Sequence, residues 1–301
     1  MMTPEEIQEF VENHPRLVRV SKSVKYPGLS VLKYHNRVFY DNLWDEHPLL
    51  TKLRGVVVDE DYNLVLYPFD KFFNYKENGT YLSPDAMVRV VKKINGFMAS
   101  ARYVEGYGLV VATTGTLDSE FADLAKKRLE EFEYAIQKFP EYTFIFEIVD
   151  ETDPHIIEEE FGVYLIGARN MTTLEMADLD IFDGWRLGHF DVYDTRPIKL
   201  KFSQVLEATK MSMGEGWMVY AEDKTFKLKS PYYLTIKLLG RMKADKLEKY
   251  LEKGHKIPWM DEDYHWVLEE IEKEADYFLS LNNHKRVEYV REIINERMFA
   301  C

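Results

Sequence analysis

Lys92 and Lys93 stand at the end of an apolar run, Val88-Arg89-Val90-Val91, and are followed by Ile94 and the pair Asn95-Gly96. Val88, Val90 and Val91 read as a buried strand. A lysine at the end of such a strand is either a surface ammonium ahead of an ordinary Asn-Gly hairpin turn, or a group that faces a site. A second pair of lysines poses the same choice. In Thr225-Phe226-Lys227-Leu228-Lys229 alternate residues share a face, so Lys227 and Lys229 point one way and Phe226 and Leu228 the other. Two neighbouring cations repel unless an anion lies between them or the face meets water. Just upstream, Gly214-Glu215-Gly216-Trp217-Met218-Val219-Tyr220 begins a strand with an acid. A hairpin joining it to the two lysines would put a carboxylate at one end of a cleft and two bases at the other.

The elements that must position these groups are short. A first helix is expected over Pro4 to Asn13. β-like runs follow: LSVLKYHN, RVFYDN, RGVVVDE, NLVLYPF, MVRVVKKI, FMASARYV and GLVVATTG, punctuated by Pro27-Gly28, Asp61-Tyr62-Asn63 and Glu105-Gly106. Ser119 to Phe139 predicts a helix ended by Pro140, with Leu124, Leu129, Phe132, Ile136 and Phe139 on one face. Strands resume with YTFIFEIV and GVYLIGAR, then a helix around Phe202–Lys210, then GWMVYAE and TFKLKS. From Tyr232 onward the pattern is helical. The expectation is an α+β chain: a body of mostly antiparallel sheet with flanking helices (residues 1–239) and a small all-helical C-terminal domain (residues 240–301).

Composition sets the outer limits. The 301 residues are 46% hydrophobic and 14% aromatic, enough to fill a substantial core. No apolar run approaches the ~18 residues of a membrane span, and the acidic, amphipathic start is unlike a signal or transit peptide. A single cysteine, Cys301, leaves no internal disulfide and no cysteine-based metal site. A cytoplasmic protein is expected, with no membrane partner. The net charge of −13 argues against a polyanionic ligand until its distribution is read. From Pro15 to Tyr40, and again from Lys224 to Ala244, there are lysines and arginines but no carboxylate. Such segregation builds a positive cleft on a negative body if the blocks stay apart in space.

The order of the motifs adds the rest. Lys93-Ile94-Asn95-Gly96, Phe144-Ile145-Phe146-Glu147, Glu215-Gly216-Trp217-Met218-Val219 and Lys227-Leu228-Lys229 resemble, in order and rough spacing, the motifs of the covalent nucleotidyltransferases: ATP-dependent DNA ligases, RNA ligases and mRNA capping enzymes. The bacteriophage RNA ligase group, which includes tRNA-repair ligases, is the nearer likeness. LTKLRGVVVDE resembles its Arg-Gly strand, DKFFNYKEN its Lys-Phe-Phe-Asn stretch, and FKLKSPYYLTIK its final motif. The likeness runs from about Val31 to Lys237.

That resemblance implies an ATP-dependent RNA ligase joining RNA 5′-phosphate and 3′-hydroxyl ends, with broken tRNA among the candidate substrates and Mg²⁺ or Mn²⁺ as metal. Lys93, at the right distance from Gly96, would carry AMP, and Lys92 would be a flanking phosphate or surface contact. A neutral amine is needed for attack, and neighbouring cations such as Lys227 and Lys229 help to supply one. By the same resemblance Arg54 would contact phosphate or hold the architecture, and Lys71 would be a second triphosphate contact. Gly96 would let phosphates approach the backbone, Glu147 would accept from the ribose hydroxyls, and Tyr164 is the candidate for stacking on adenine. Glu215 would orient the metal, and Lys227 and Lys229 would neutralise charge on the α-phosphate. Related ligases often carry a basic residue in a Ser/Thr-basic-Gly-Ser turn, where this chain has Thr113-Thr114-Gly115-Thr116. Two alternatives stay open: a nucleotide-binding protein of the same fold without ligation, and a ligase that tolerates DNA. The helices after Lys229, in place of the OB-fold that DNA ligases and capping enzymes carry there, favour RNA. The sequence does not fix the oligomeric state.

Overall fold

The computed structural model describes residues 2–153, 155–182, 198–252 and 257–299. Cys301 lies outside them. In chain order the strands are β1 (Val18–Lys22), β2 (Ser30–Tyr34), β3 (Arg54–Val58), β4 (Leu64–Leu66), β5 (Phe73–Asn74), β6 (Met87–Lys92), β7 (Phe97–Val104), β8 (Gly108–Thr113), β9 (Tyr142–Val149), β10 (Gly162–Asn170), β11 (Ile198–Lys201), β12 (Gly216–Tyr220) and β13 (Thr225–Lys229). The chain packs as two compact units. One comprises Met1–Phe72, Gly96–Asp150 and Glu160–Thr195, the other Phe73–Asn95, Glu151–Glu159 and Arg196–Cys301.

The first unit holds two four-stranded antiparallel sheets, in the orders β1-β2-β3-β4 and β10-β9-β7-β8. β9 is central, and every residue from Thr143 to Val149 is buried. A strand covered on both faces reads as a continuous apolar run, so Glu147 is the exception that needs a reason. Phe144, Phe146 and Ile148 pack with Ala99, Ala101, Val111 and the helix residues Ala125 and Leu129. Val31, Val57 and Leu66 pack with Val110 and Ala112 in a second cluster. The helix Pro4–Asn13 forms where expected, opened by a Thr3–Glu6 capping box.

The second unit is built on a five-stranded sheet ordered β11-β6-β12-β13-β5, in which only the β13–β5 pair is parallel. Val88, Val90, Val219, Phe226 and Leu228 pack with Phe202 and Val205 of the helix Phe202–Lys210. Lys227 and Lys229 therefore stand on the opposite face of β13, as the alternation predicts. The helix Pro231–Arg241 follows β13 at once, capped by Ser230, and its Tyr233, Ile236 and Leu239 join a helical core with Leu268, Ile271, Val290 and Ile294. Gly240, the position expected for a domain boundary, lies inside that helix, where a Cβ would come within 2.4 Å of Val287.

Local pattern misleads in two places. RVFYDN, expected to be β-like, forms the short helix Asn36–Tyr40. Val38 is buried while Phe39 and Tyr40 are 51% and 79% exposed, a burial pattern that one helical face satisfies and a strand does not. The helix expected over Ser119–Phe139 is interrupted by a 3₁₀ turn at Glu130–Phe132, between Glu120–Leu129 and Glu133–Gln137. No helix among the described residues is long and apolar enough to cross a membrane.

Gly216 is a tight point of the five-stranded sheet. Its φ is +126°, and a Cβ there would stand 2.1 Å from the Leu228 carbonyl oxygen. Gly216→Ala is expected to cost more than about 3 kcal/mol, since backbone strain and a collision with main chain add. Urea unfolding checks this, and an unchanged midpoint would show that the strand can shift.

Candidate active site

Within the second unit, β6 delivers Lys93 and the β12–β13 hairpin delivers Glu215 and Lys229. The Lys93 main-chain N–H donates to the Gly216 carbonyl (2.9 Å), fixing the end of β6 beside the start of β12. Lys93 Nζ lies 3.1 Å from Glu215 Oε2 and donates to it. The Asn95 side-chain amide donates to the same oxygen at 2.7 Å. Lys229 Nζ is 4.0 Å from Glu215 Oε1. Glu215 is 3% exposed, so its charge is met by these partners, the two lysines half-buried and Asn95 buried, rather than by water.

The hairpin corrects one expectation. Antiparallel pairing sets Gly216 opposite Lys229 and Met218 opposite Lys227, so the acid sits at the Lys229 end, not across a cleft from both lysines. Lys229 is pushed down to about 8 by burial first, then by Lys237, with Glu215 opposing and Lys93 adding to the depression. Lys237 is also lowered, by burial and then by Arg241. Both ammonium groups flank the Tyr233 ring, at 5.3 and 5.4 Å from its centroid. Lys92 faces elsewhere, its Nζ 2.6 Å from Glu159.

Asn95-Gly96 is not a hairpin turn. β6 and β7 belong to different sheets, and the chain leaves the second unit for the first between these two residues. Asn95 is 8% exposed and accepts from the Ile157 N–H at 2.9 Å while donating to Glu215. Its role was hidden because Asn-Gly is also the commonest turn signal. Lys237 was missed as well. It lies four residues after Tyr233, one helical turn on, which is the signal that could have found it.

In the first unit, the Gly96 N–H donates to Glu147 Oε1 at 3.1 Å. A Cβ on Gly96 would stand 2.3 Å from the Ile148 carbonyl oxygen, so the close approach that requires glycine here is to β9 itself. Tyr164 lies opposite Glu147 in the β9–β10 pairing. Its ring is 1% exposed and its hydroxyl donates to the Glu160 carbonyl (2.6 Å), which leaves no ring face for adenine. Burial thus assigns Tyr164 to the core. Arg54 donates toward Met98 Sδ at 3.8 Å. Lys71 Nζ lies among three rings, 4.8 Å from Trp44, 5.6 Å from Phe39 and 5.8 Å from Tyr34.

Among the described residues no group of three or more His, Cys, Asp or Glu side chains is placed to hold a metal ion. Glu215 suits a cation that takes one carboxylate and draws its other oxygens from water and phosphate, as Mg²⁺ does.

No curated protein matches the sequence. Solved structures do match in fold. An archaeal ATP-dependent RNA ligase (form 2) is 13% identical at a TM-score of 0.55, over 98% of this chain and 82% of that one. A candidate ATP-dependent DNA ligase from Aquifex aeolicus is 13% identical at 0.53, over 96% and 77%. At such identity the likeness is one of fold, and it reaches over the C-terminal helices. The sequence model of the RNA ligase family matches residues 52–233, more than half of the chain, from two residues before Arg54 to four beyond Lys229. This chain belongs to the RNA ligase family.

Proposed function

We propose that this chain is an ATP-dependent RNA ligase that works through AMP carried on Lys93. The observation that carries the proposal is Lys93 Nζ held at 3.1 Å by a carboxylate that is 3% exposed, with the Lys229 ammonium on the other oxygen of that carboxylate. The neutral amine attacks the α-phosphorus of ATP. An N–P bond forms, the bridging P–O bond breaks, and pyrophosphate leaves. Glu215 Oε2 is the acceptor in reach for the proton that Nζ gives up. An RNA 5′-phosphate oxygen then takes AMP from the lysine, and a 3′-hydroxyl oxygen attacks the activated phosphorus and expels AMP. Lys229 and Lys227 offset charge on the phosphate in flight. Glu147 would hold the ribose, Gly96 would keep that carboxylate in place, and Arg54 and Lys71 would serve the phosphates. A divalent cation near Glu215 would supply further charge neutralisation.

The natural substrate in this reading is RNA with 5′-phosphate and 3′-hydroxyl ends, including broken tRNA. Residues 1–239 act as the adenylyltransferase domain and residues 240–301 as its helical partner. A cytoplasmic location goes with such a substrate. The test is covalent labelling by α-labelled ATP with Mg²⁺, followed by a chase with 5′-phosphorylated RNA. Label that forms and then moves to RNA supports the reading. A wild-type protein that never labels, after removal of pre-bound AMP, makes the chain a nucleotide-binding protein without ligation.

The depressed Lys229 gives the first step a pH signature. Its charge is full below about 8 and is lost as pH rises through that value, so single-turnover labelling should fall on the alkaline side. In Lys229→Arg, whose charge persists past pH 12, the alkaline fall should move upward. An identical alkaline limb in the variant would separate Lys229 from the profile.

A further inference from the structure

We propose that Arg19, Lys33 and Arg54 form a phosphate-binding site beside the Thr113-Thr114-Gly115-Thr116 turn, taking a phosphoryl oxyanion of the nucleic-acid end or of ATP. The three side chains stand side by side on neighbouring strands. Arg19 on β1 is opposite Lys33 on β2, and Lys33 is opposite Arg54 on β3. Like charges directly across a sheet are destabilising, and a row of three is a place where a bound anion would be favoured. None of the three forms an ion pair among the described residues. Arg19 donates to Ser21 Oγ (3.0 Å) and to the Gly115 carbonyl (3.0 Å), and Arg54 toward Met98 Sδ.

The turn completes the arrangement. A Cβ on Gly115 would stand 3.7 Å from both Arg19 Nη2 and Lys33 Nζ, and one on Gly55 would stand 2.8 Å from Thr114 Cα. The turn therefore lies against β3, with the cations of β1 and β2 at its tip. Its own side chains supply hydroxyls and no charge. Asp118, the carboxylate just beyond it, is turned away, accepting from Ser23 Oγ and from the main-chain N–H groups of Val24 and Lys25. Lys33 is also held below the usual lysine value, by burial first and then by Arg54 and Arg19. A half-buried ammonium with two guanidinium neighbours and no acid is the environment that a bound phosphate would relieve. The basic block from Pro15 to Tyr40 thereby acquires a use.

The phosphate chemistry stands on these residues alone; that its source is RNA or ATP rests on the proposed function. The experiment compares wild type with the Arg19→Gln/Lys33→Met double variant. One arm measures binding of a short single-stranded RNA with and without a 5′-phosphate across a salt series, and the other measures labelling by α-labelled ATP. The expected result is RNA binding weakened about tenfold with a salt slope reduced by about 1.4, at ~0.7 per lost phosphate contact, and labelling within twofold of wild type. A raised ATP requirement with RNA binding unchanged would also support the site and assign it to the triphosphate. If wild type never labels yet the double variant binds phosphorylated RNA less well, the site stands and the ligase reading falls. Binding and labelling both unchanged would overturn the proposal. So would an equal loss in Arg19→Lys/Lys33→Arg, which keeps both charges, because the side chains would then be structural.

Discussion

Lys93→Ala is expected to take up no label from α-labelled ATP under conditions in which wild type is labelled to completion. The loss is total, not partial, because removing the amine removes the atom that forms the N–P bond. Two companions make the result specific. Lys93→Arg keeps a cation beside Glu215, and with it the 3.1 Å ion pair that stands there now, but a guanidinium does not deprotonate to a nucleophile. It should fold and stay unlabelled. Lys92→Ala should label at close to the wild-type rate, since Lys92 is about half exposed and its Nζ is engaged by Glu159. Label on Lys93→Ala, with Lys92→Ala unlabelled, would move the nucleophile by one residue and reject the spacing to Gly96. Mass spectrometry of the labelled peptide reads the position directly.

Much of this was legible in the sequence, for reasons that differ by element. The helices Pro4–Asn13 and Phe202–Lys210 carry their boundaries in local chemistry, a capping threonine with proline in one and an apolar face in the other. β13 was legible because its alternation is strict. β1, β5 and β11 were not. β1 buries only Val18, β5 has two residues, and β11 has no buried residue, so none carries an apolar signal. Tyr164 stands opposite Glu147 in the regular part of β10, before the irregularity between Leu165 and Gly167, and its burial in the core is set by packing that strand alternation does not reveal. The pairing of Lys93 with Glu215 spans 122 residues. No local pattern encodes a contact of that separation, and only the order of the motifs hinted at it. That Arg19 and Lys33 join Arg54 in one row was invisible for the same reason: the basic block and Arg54 were legible, but their adjacency appears only when β1, β2 and β3 are set side by side.

Replacing Glu215 should produce the other large effect, and its two substitutions should diverge. Glu215→Ala takes away the carboxylate that Lys93 and Lys229 share, and strands the Asn95 amide donor, in a position that is 3% exposed. Removing one partner of a buried ionic group costs about 3–5 kcal/mol, so the second unit should unfold at clearly lower urea. Glu215→Gln retains a carbonyl oxygen for the Asn95 amide and nearly the same volume. It should lie much closer to wild type in stability, the cations being relieved in part by the depression already acting on Lys229 and Lys237. Labelling should nonetheless fall by about 10²-fold or more in both, because neither variant has a carboxylate to receive the Lys93 proton or to meet a divalent cation. Unfolding and single-turnover labelling measured on the same preparations separate the two losses. Glu215→Gln labelling at the wild-type rate would remove Glu215 from the chemistry and leave it a structural counter-ion. Glu215→Ala as stable as wild type would mean that Lys229, already depressed, sheds its proton instead, and the alkaline limb of its pH profile would then begin well below that of wild type.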